Sequence, residues 1–257
     1  MRGGQVGQLW GAGLFVALTL ALAGQAAEAQ DVVHWGAGGK MGVNASLLTP
    51  PLIIAEPNPP IPAFLGSGGG VGVALQALYG DYVGLGLEFW TVSATGRGRY
   101  TFVTAQGQYY SIDQELASRE IQIPLLLRGQ LPLRYVQPFA TFGATFVFQT
   151  DASWTVDADV TTELVPPETR NYTMLTGSLG ANIEVKNIRI PIELRGTWQS
   201  IDRDPHARAT WDYEPSLAGG LLTTMSVWAQ WEAQLWVMVG VEVWGVVDPW
   251  RREAVSP

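Results

Sequence analysis

The sequence contains no cysteine and only two histidines in 257 residues. The absence of cysteine excludes disulfide bonds and thiolate metal sites, and the scarcity of histidine limits acid–base schemes. Charged residues are also few, at 15% of the chain, whereas a soluble domain usually has about 25%. The formal net charge of -8 disfavours a nucleic-acid partner, because proteins that bind nucleic acid carry clustered Lys and Arg.

The chain also lacks a long uninterrupted hydrophobic run. Its most hydrophobic C-terminal stretch, residues 228–247, is broken by glutamines and glutamates. The apolar run 14–22 follows Arg2, precedes Ala27-Glu28-Ala29 and is too short to cross a bilayer comfortably. This pattern predicts a secretory signal over residues 1–29, with a retained N-terminal anchor as the alternative. An exported chain without cysteine favours a protein of the bacterial envelope.

What the sequence has instead is a regular alternation of apolar and polar residues. Between Tyr172 and Trp198, two strands are predicted to fold back on each other at Lys186-Asn187. Because successive residues of a strand point to opposite faces of a sheet, one face of this pair is apolar and the other carries ions of both signs. In a soluble sandwich the charged face would meet water, whereas in a membrane barrel it would line the lumen.

The same alternation recurs along the chain and predicts eight strands. They lie within residues 33–45, 71–79, 83–89, 121–128, 138–148, 172–185, 188–198 and 231–243. The connections between them are alternately long and short: 46–68, 80–81, 93–118, 129–134, 150–171, 186–187 and 199–227. The proline-rich connection 46–68 is expected to hold no strand ladder, and 93–118 has the pattern of a hairpin that reaches beyond the membrane.

Alternating connection lengths are typical of barrels with short periplasmic turns and long outer loops. The sequence therefore predicts an all-β fold, an eight-stranded antiparallel up-and-down transmembrane β-barrel. The barrel is expected over residues 30–248, followed by a C-terminal tail over 249–257.

The charged residues of the predicted strands fall on the lumen side. The inward positions hold Lys40, Glu88, Arg128, Glu184, Arg189, Glu193, Arg195, Glu232 and Glu242. Positive and negative side chains nearly balance, and eight strands leave an interior just wide enough for side chains to fill. We therefore expect a packed ion-pair network rather than a water channel. The last strand is predicted to turn Trp231 outward, together with the aliphatic residues that follow it.

Aromatic residues near the strand ends predict contacts with the membrane interfaces. Tyr79 and Tyr82 flank the first short turn, and Trp244 ends the last strand. We expect these three residues to belong to an interfacial girdle. Ordinary burial in a core is the alternative for each of them.

The chain resembles the small outer-membrane barrels of the OmpA-like and PorT-like type. The resemblance covers residues 33–247 and rests on the glycine-rich first strand, on the segment Ile121–Leu127, and on Val136-Gln137-Pro138-Phe139 leading to Gly143. It implies a location in the bacterial outer membrane. The sequence departs from the family pattern because it continues beyond the last predicted strand without a terminal Phe.

Candidate chemistry is concentrated in the long connections. His206 lies near Asp202, Asp204 and Asp212, an arrangement that could serve a protease-like or lipid-deacylase-like site or hold a metal ion. The acidic residues of 151–168 could engage divalent ions that bridge lipopolysaccharide. Acidic loops are more often simply solvated, so we predict no catalytic site, no metal site and no cofactor.

The sequence thus predicts an integral outer-membrane barrel with a polar lumen filled by side chains. Its expected role is structural or one of recognition by surface loops, without enzymatic activity. Its expected partners are outer-membrane lipid and lipopolysaccharide, and not nucleic acid. Two alternatives remain: an outer-membrane barrel enzyme with a site near His206, and a soluble, secreted ligand-binding barrel of lipocalin-like shape.

Overall fold

Eight long strands and four short ones make up the fold. The computed structural model describes residues 33–48, 52–54, 65–103, 109–157, 164–165, 169, 171–185, 188–199, 207–212, 222–227 and 231–247. The long strands are β1 (Val33–Leu48), β3 (Leu65–Tyr79), β4 (Val83–Val103), β5 (Tyr109–Gln130), β6 (Val136–Asp157), β8 (Asn171–Val185), β9 (Ile188–Trp198) and β12 (Trp231–Val247). The short strands are β2 (Leu52–Ile54), β7 (Leu164–Val165), β10 (Ala207–Asp212) and β11 (Leu222–Val227). No helix in the described part of the chain is long and apolar enough to cross a bilayer.

The eight long strands form a closed antiparallel barrel. Their order around the barrel is β1-β12-β9-β8-β6-β5-β4-β3, so each strand pairs with its neighbour in the sequence and the first closes on the last. In that closing pair, Val33 lies opposite Val247 and Leu47 lies opposite Ala233. The predicted eight-stranded up-and-down barrel is confirmed.

The four short strands form a second antiparallel sheet in the order β2-β11-β10-β7. They come from three of the long connections, which were predicted as loops. The expectation that 46–68 holds no strand ladder is therefore wrong, because Leu52–Ile54 pairs with β11. Leu52–Ile54 contains no proline, so each of its residues keeps the backbone donor that a ladder can use.

The strands β4, β5 and β6 are longer than the other five of the barrel. They contain 21, 22 and 22 residues, whereas β9 contains 11. Val103 lies opposite Tyr109, so the hairpin predicted within 93–118 is confirmed. This hairpin and β6 extend the barrel wall on one side, at the end that carries the long connections.

The short turn between β3 and β4 is shaped by two residues with positive φ. Gly80 has φ 58° and Asp81 has φ 63°, a conformation that glycine adopts freely and aspartate tolerates better than most residues. Consecutive positive φ angles match the twist of a tight hairpin. The sequence Gly80-Asp81 therefore fixes the register of β3 against β4.

The distribution of polarity is inverted relative to a soluble protein. Exposed positions of the barrel carry large apolar side chains such as Met41, Leu85, Leu125 and Leu194, while buried positions carry lysine, arginine, glutamate and glutamine. This is the alternation expected of a wall that has hydrocarbon on one side and a polar lumen on the other.

Tryptophan rings fill the lumen against glycine-rich strands. A Cβ atom added to Gly66 would lie 2.6 Å from the ring of Trp231, and one added to Gly72 would lie 2.7 Å from the ring of Trp90. Both rings are almost fully buried. Glycine at these positions therefore leaves the space inside the lumen that the two indole rings occupy.

We predict that Gly66→Ala destabilises the barrel by about 1–3 kcal/mol, because the new methyl group overpacks against Trp231. The matched control is Gly196→Ala, since a Cβ at Gly196 would meet nothing within 4 Å. Denaturant unfolding in detergent, followed by tryptophan fluorescence, measures both variants. Equal midpoints for the two variants would contradict this packing.

Candidate functional site

The centre of the lumen holds a cluster of five ionised side chains from four strands. Its members are Lys40 on β1, Glu88 on β4, Glu193 and Arg195 on β9, and Glu242 on β12. The Lys40 Nζ atom lies 2.7 Å from Glu88 Oε1, 3.2 Å from Glu193 Oε2 and 3.8 Å from Glu242 Oε1. Arg195 lies 2.7 Å from Glu88 Oε2 and 2.8 Å from Glu193 Oε1. We refer to these five residues as the central ion cluster.

The central ion cluster is removed from solvent. The side chains of Lys40, Glu88 and Glu193 are at most 3% exposed. Arg195 and Glu242 are likewise almost fully buried. Isolated charges in such a place would be strongly unfavourable, so their pairing is what allows them to stay ionised. Gly38 and Gly240 give the long side chains room, since a Cβ on Gly240 would lie 2.7 Å from Cγ of Lys40.

Two further arginines lie toward the short-turn end of the lumen. Arg128 donates to Gln76 Oε1 at 2.7 Å, and Gln76 in turn donates to Glu242 at 2.8 Å. Arg189 lies 3.7 Å from Glu184 Oε1. These contacts link Arg128 to the central ion cluster through an amide and give Arg189 a carboxylate partner on the neighbouring strand.

A layer of apolar side chains closes the lumen on the other side of the central ion cluster. It consists of Trp90, Val92, Trp236 and Met238, all buried. The two tryptophan rings lie 5.8 Å apart, and Trp90 Nε1 donates to Glu88 at 2.8 Å. This layer separates the central ion cluster from the end of the barrel that carries the long connections.

Opposite Val92 of this layer lies a buried acid that the sequence analysis missed, Glu120. Its carboxylate accepts hydrogen bonds from Tyr172 at 2.8 Å, Gln122 at 3.0 Å and Ser118 at 3.5 Å. The sequence did contain a signal for Glu120, because it lies two residues before the inward-facing Gln122 and therefore on the same face of the strand. Extending the predicted strand by two residues toward its N-terminus would have included it. It was overlooked because β5 was predicted to begin at Ile121.

The structure puts most of the predicted lumen residues inside the barrel, but two of the predicted positions are wrong. Trp231 is fully buried and donates to Ser118 at 2.8 Å. A register shift beside Leu48 turns the first residue of β12 toward the lumen instead of the lipid. Trp244 is also buried, with Nε1 3.2 Å from Glu242, because the even-numbered positions of this strand face the lumen from Gln234 onward. Glu232 is half-buried at the long-connection end of β12, away from the central ion cluster.

The other predicted interfacial aromatics lie near the short turns. Tyr79 is 45% exposed, and Tyr82 is half-buried. The structure adds exposed aromatics that the sequence analysis did not select: Trp35 and Tyr135 near the same end, and Trp198 at the opposite end. Such rings are typical of the two boundaries of an outer-membrane barrel.

The hairpin of β4 and β5 carries two exposed ion pairs. Arg97 lies 2.9 Å from Glu115, and Arg99 lies 2.6 Å and 2.8 Å from the two carboxylate oxygens of Asp113. The hydrogen bond from Arg99 lowers the pKa of Asp113, and that of Arg99 is raised by the same contact. These pairs are in register across the two strands. They lie beyond the exposed apolar side chains on the outside of the barrel, which we call the apolar belt.

Several predicted sites lie outside the described residues. They are Asp202, Asp204 and His206 and most of the acidic segment 158–168. Within the residues that the structure describes, no group of three His, Cys, Asp or Glu side chains could hold a metal ion.

Comparison with known proteins gives structural similarity without a matching family. No protein-family model and no curated protein matches the sequence. The outer membrane protein OprG from Pseudomonas aeruginosa is similar, with a TM-score of 0.45, 13% identity and coverage of 84% of this chain and 98% of that one. The outer membrane protein AlkL has a TM-score of 0.38 and 12% identity, over 84% of this chain and 91% of that one.

A third similar structure is Ail, the attachment invasion locus protein of Yersinia pestis. Its TM-score is 0.32 at 11% identity, with coverage of 82% of this chain and 98% of that one. The class of protein is defined by the pairing of the strands itself, which forms a small eight-stranded barrel of the outer-membrane type.

We predict that Arg195→Met destabilises the barrel by about 3–5 kcal/mol, because it leaves Glu88 and Glu193 buried with one cation fewer. Arg97→Met serves as the control, since its side chain is 79% exposed and surface pairs contribute little. Both are measured by denaturant unfolding in detergent. A loss no larger for Arg195→Met than for the control would contradict a stabilising role of the central ion cluster.

A second prediction concerns the exposed hairpin at acidic pH. Because the folded-state pKa of Asp113 lies below its usual value of 3.8, the pair with Arg99 stabilises the hairpin above that value. The stabilisation is lost as the pH falls through the lowered pKa. NMR titration of the labelled carboxyl group measures this directly. Arg99→Gln should bring the pKa back up, and an unchanged titration would contradict the assignment.

Proposed function

We propose that the chain is an integral protein of the bacterial outer membrane, with a closed lumen and a structural or surface-recognition role without enzymatic activity. The observation that carries this proposal is the belt of large apolar side chains on the outside of a barrel whose inside is ionic. A soluble barrel such as a lipocalin would bury its apolar face and expose its charges. The arrangement observed here is the reverse.

The apolar belt has a clear energetic consequence. Leu179, Val237 and Val241 are each more than half exposed, as are many of their neighbours on the same surface. In water each side chain of this kind would leave about 1.5–3 kcal/mol of burial free energy unrealised. The apolar belt is stable in hydrocarbon. The strands can cross the hydrocarbon because every barrel strand is paired on both sides, which satisfies its backbone N–H and C=O groups.

The lumen supports a structural role rather than passage of solutes. The central ion cluster and the layer of Trp90, Val92, Trp236 and Met238 fill successive levels of the interior. Eight-stranded barrels commonly have interiors that are just filled by side chains. A filled interior leaves the surface at the long-connection end as the region available for recognition.

The long-connection end offers two features for contact with other molecules. One is the small sheet built from β2, β7, β10 and β11, and the other is the extended wall of β4, β5 and β6. The wall presents Arg97, Arg99 and Arg119 alternating with acidic side chains, just beyond the apolar belt. Lipid headgroups and lipopolysaccharide are the partners that these arginines favour, because guanidinium groups form strong charge-assisted hydrogen bonds with phosphate.

Heat-dependent migration in detergent gels tests the membrane barrel. We expect the unboiled protein to run at a different apparent size from the boiled protein, because a closed barrel resists unfolding by detergent. After cell fractionation the chain should stay in the membrane pellet when washed with high salt. Release into the aqueous fraction would instead support the soluble barrel.

Planar bilayer recordings on the same preparation test the closed lumen. The expected result is the absence of steady single-channel conductance in the wild-type protein. A stable ohmic conductance would contradict the filled interior while leaving the membrane location intact.

A further inference from the structure

The short-turn end of the lumen contains a group of buried polar side chains separate from the central ion cluster. They come from four neighbouring strands of the barrel: Arg128 and Gln130 on β5, Gln137 on β6, Asn182 on β8 and Arg189 on β9. Each of these residues is at most 6% exposed. The strand pairing brings these residues to neighbouring positions of the sheet. Gln130 lies opposite Phe139, Gln137 lies opposite Asn182, and Asn182 lies opposite Pro191.

This group contains N–H donors that the surrounding protein does not satisfy. Among the described residues, Arg128 Nη2, Gln130 Nε2, Asn182 Nδ2, and Arg189 Nε and Nη1 donate no hydrogen bond. A buried donor without an acceptor is unfavourable by about 1–3 kcal/mol, and by more when it is charged. Five such donors in one region therefore indicate a bound acceptor.

The two guanidinium groups are held in fixed orientations by aromatic rings. The Arg128 Cζ atom lies 3.8 Å from the centre of the Phe139 ring, and the Arg189 Cζ atom lies 4.2 Å from that of Trp244. Arg128 is attracted electrostatically by Glu242, Glu193 and Glu88 and repelled by Arg189. Stacking of this kind fixes the plane of each guanidinium and with it the direction of its N–H groups.

The carboxylates near the two arginines already accept hydrogen bonds from other side chains. Glu184 accepts from Gln137 and lies 3.7 Å from Arg189. Glu242 accepts from Gln76 and Trp244 and lies near Lys40. Glu184 is therefore the ion-pair partner of Arg189, whereas Arg128 is linked to Glu242 through Gln76.

We propose that the short-turn end of the lumen binds a small inorganic anion between Arg128 and Arg189, with Gln130 and Asn182 as further donors. The enclosed position favours an ion of the size of chloride over a larger oxyanion. The unpartnered amide oxygens Gln137 Oε1 and Asn182 Oδ1 would accept from water molecules that accompany the ion. This anion site is independent of any surface partner.

The test uses the full-length protein in detergent and compares sodium chloride with sodium gluconate at equal ionic strength. Chloride should raise the midpoint of the heat-induced gel shift by about 2–4 °C, with saturation, because a ligand that binds the folded state stabilises it. Arg189→Gln should abolish this rise. Arg97→Gln, which removes a charge from the exposed hairpin, should retain it.

Crystals of the wild-type protein grown in sodium bromide provide a measurement that does not depend on the folding of a variant. An anomalous bromide peak in contact with Arg128 and Arg189 is the expected result. Two outcomes overturn the proposal: density at this place without anomalous signal, which means water alone, or a chloride effect that persists in Arg189→Gln, which means binding elsewhere.

Discussion

Closure of the sheet between β1 and β12 is the constraint on which the rest of the structure depends. In hydrocarbon a backbone N–H or C=O group without a partner is strongly unfavourable, so a membrane-spanning sheet has to have no open edge. The antiparallel pairing that runs from Val33 and Val247 to Leu47 and Ala233 removes that edge. Once the sheet is closed, alternate residues must face either lipid or lumen, and the polarity of each position is decided.

This constraint explains how much of the fold could be predicted from the sequence. The period of two in residues 121–128 and 188–195 is unambiguous because one parity is aliphatic throughout and the other holds every polar or charged residue, so strand, face and approximate level follow together. Trp231 was assigned to the wrong face because a bulge beside Leu48 shifts the register, and tryptophan is compatible with either face. Glu120 was missed because its strand continues beyond the membrane, where the apolar half of the pattern stops.

The interior shows why residue types alone did not define the candidate site. Charges on the inward parity predicted an ionic lumen, but their grouping depends on the stagger of the strands, which sets which levels meet across the barrel. That stagger brings Lys40 to Glu193 across 153 positions of sequence and leaves Arg128 and Arg189 at a different level. It also matches tryptophans such as Trp231 to glycines such as Gly66, a complementarity of shape that no hydropathy pattern contains.

The central ion cluster has a consequence for how the barrel comes apart. Because its members belong to β1, β4, β9 and β12, separation of any one of these strands would leave an unpaired charge inside a partly open barrel. Local opening at one strand pair is therefore unfavourable, which favours cooperative unfolding. The lifetime of the folded protein then depends on its unfolding rate, because the central ion cluster links strands that are far apart in the chain.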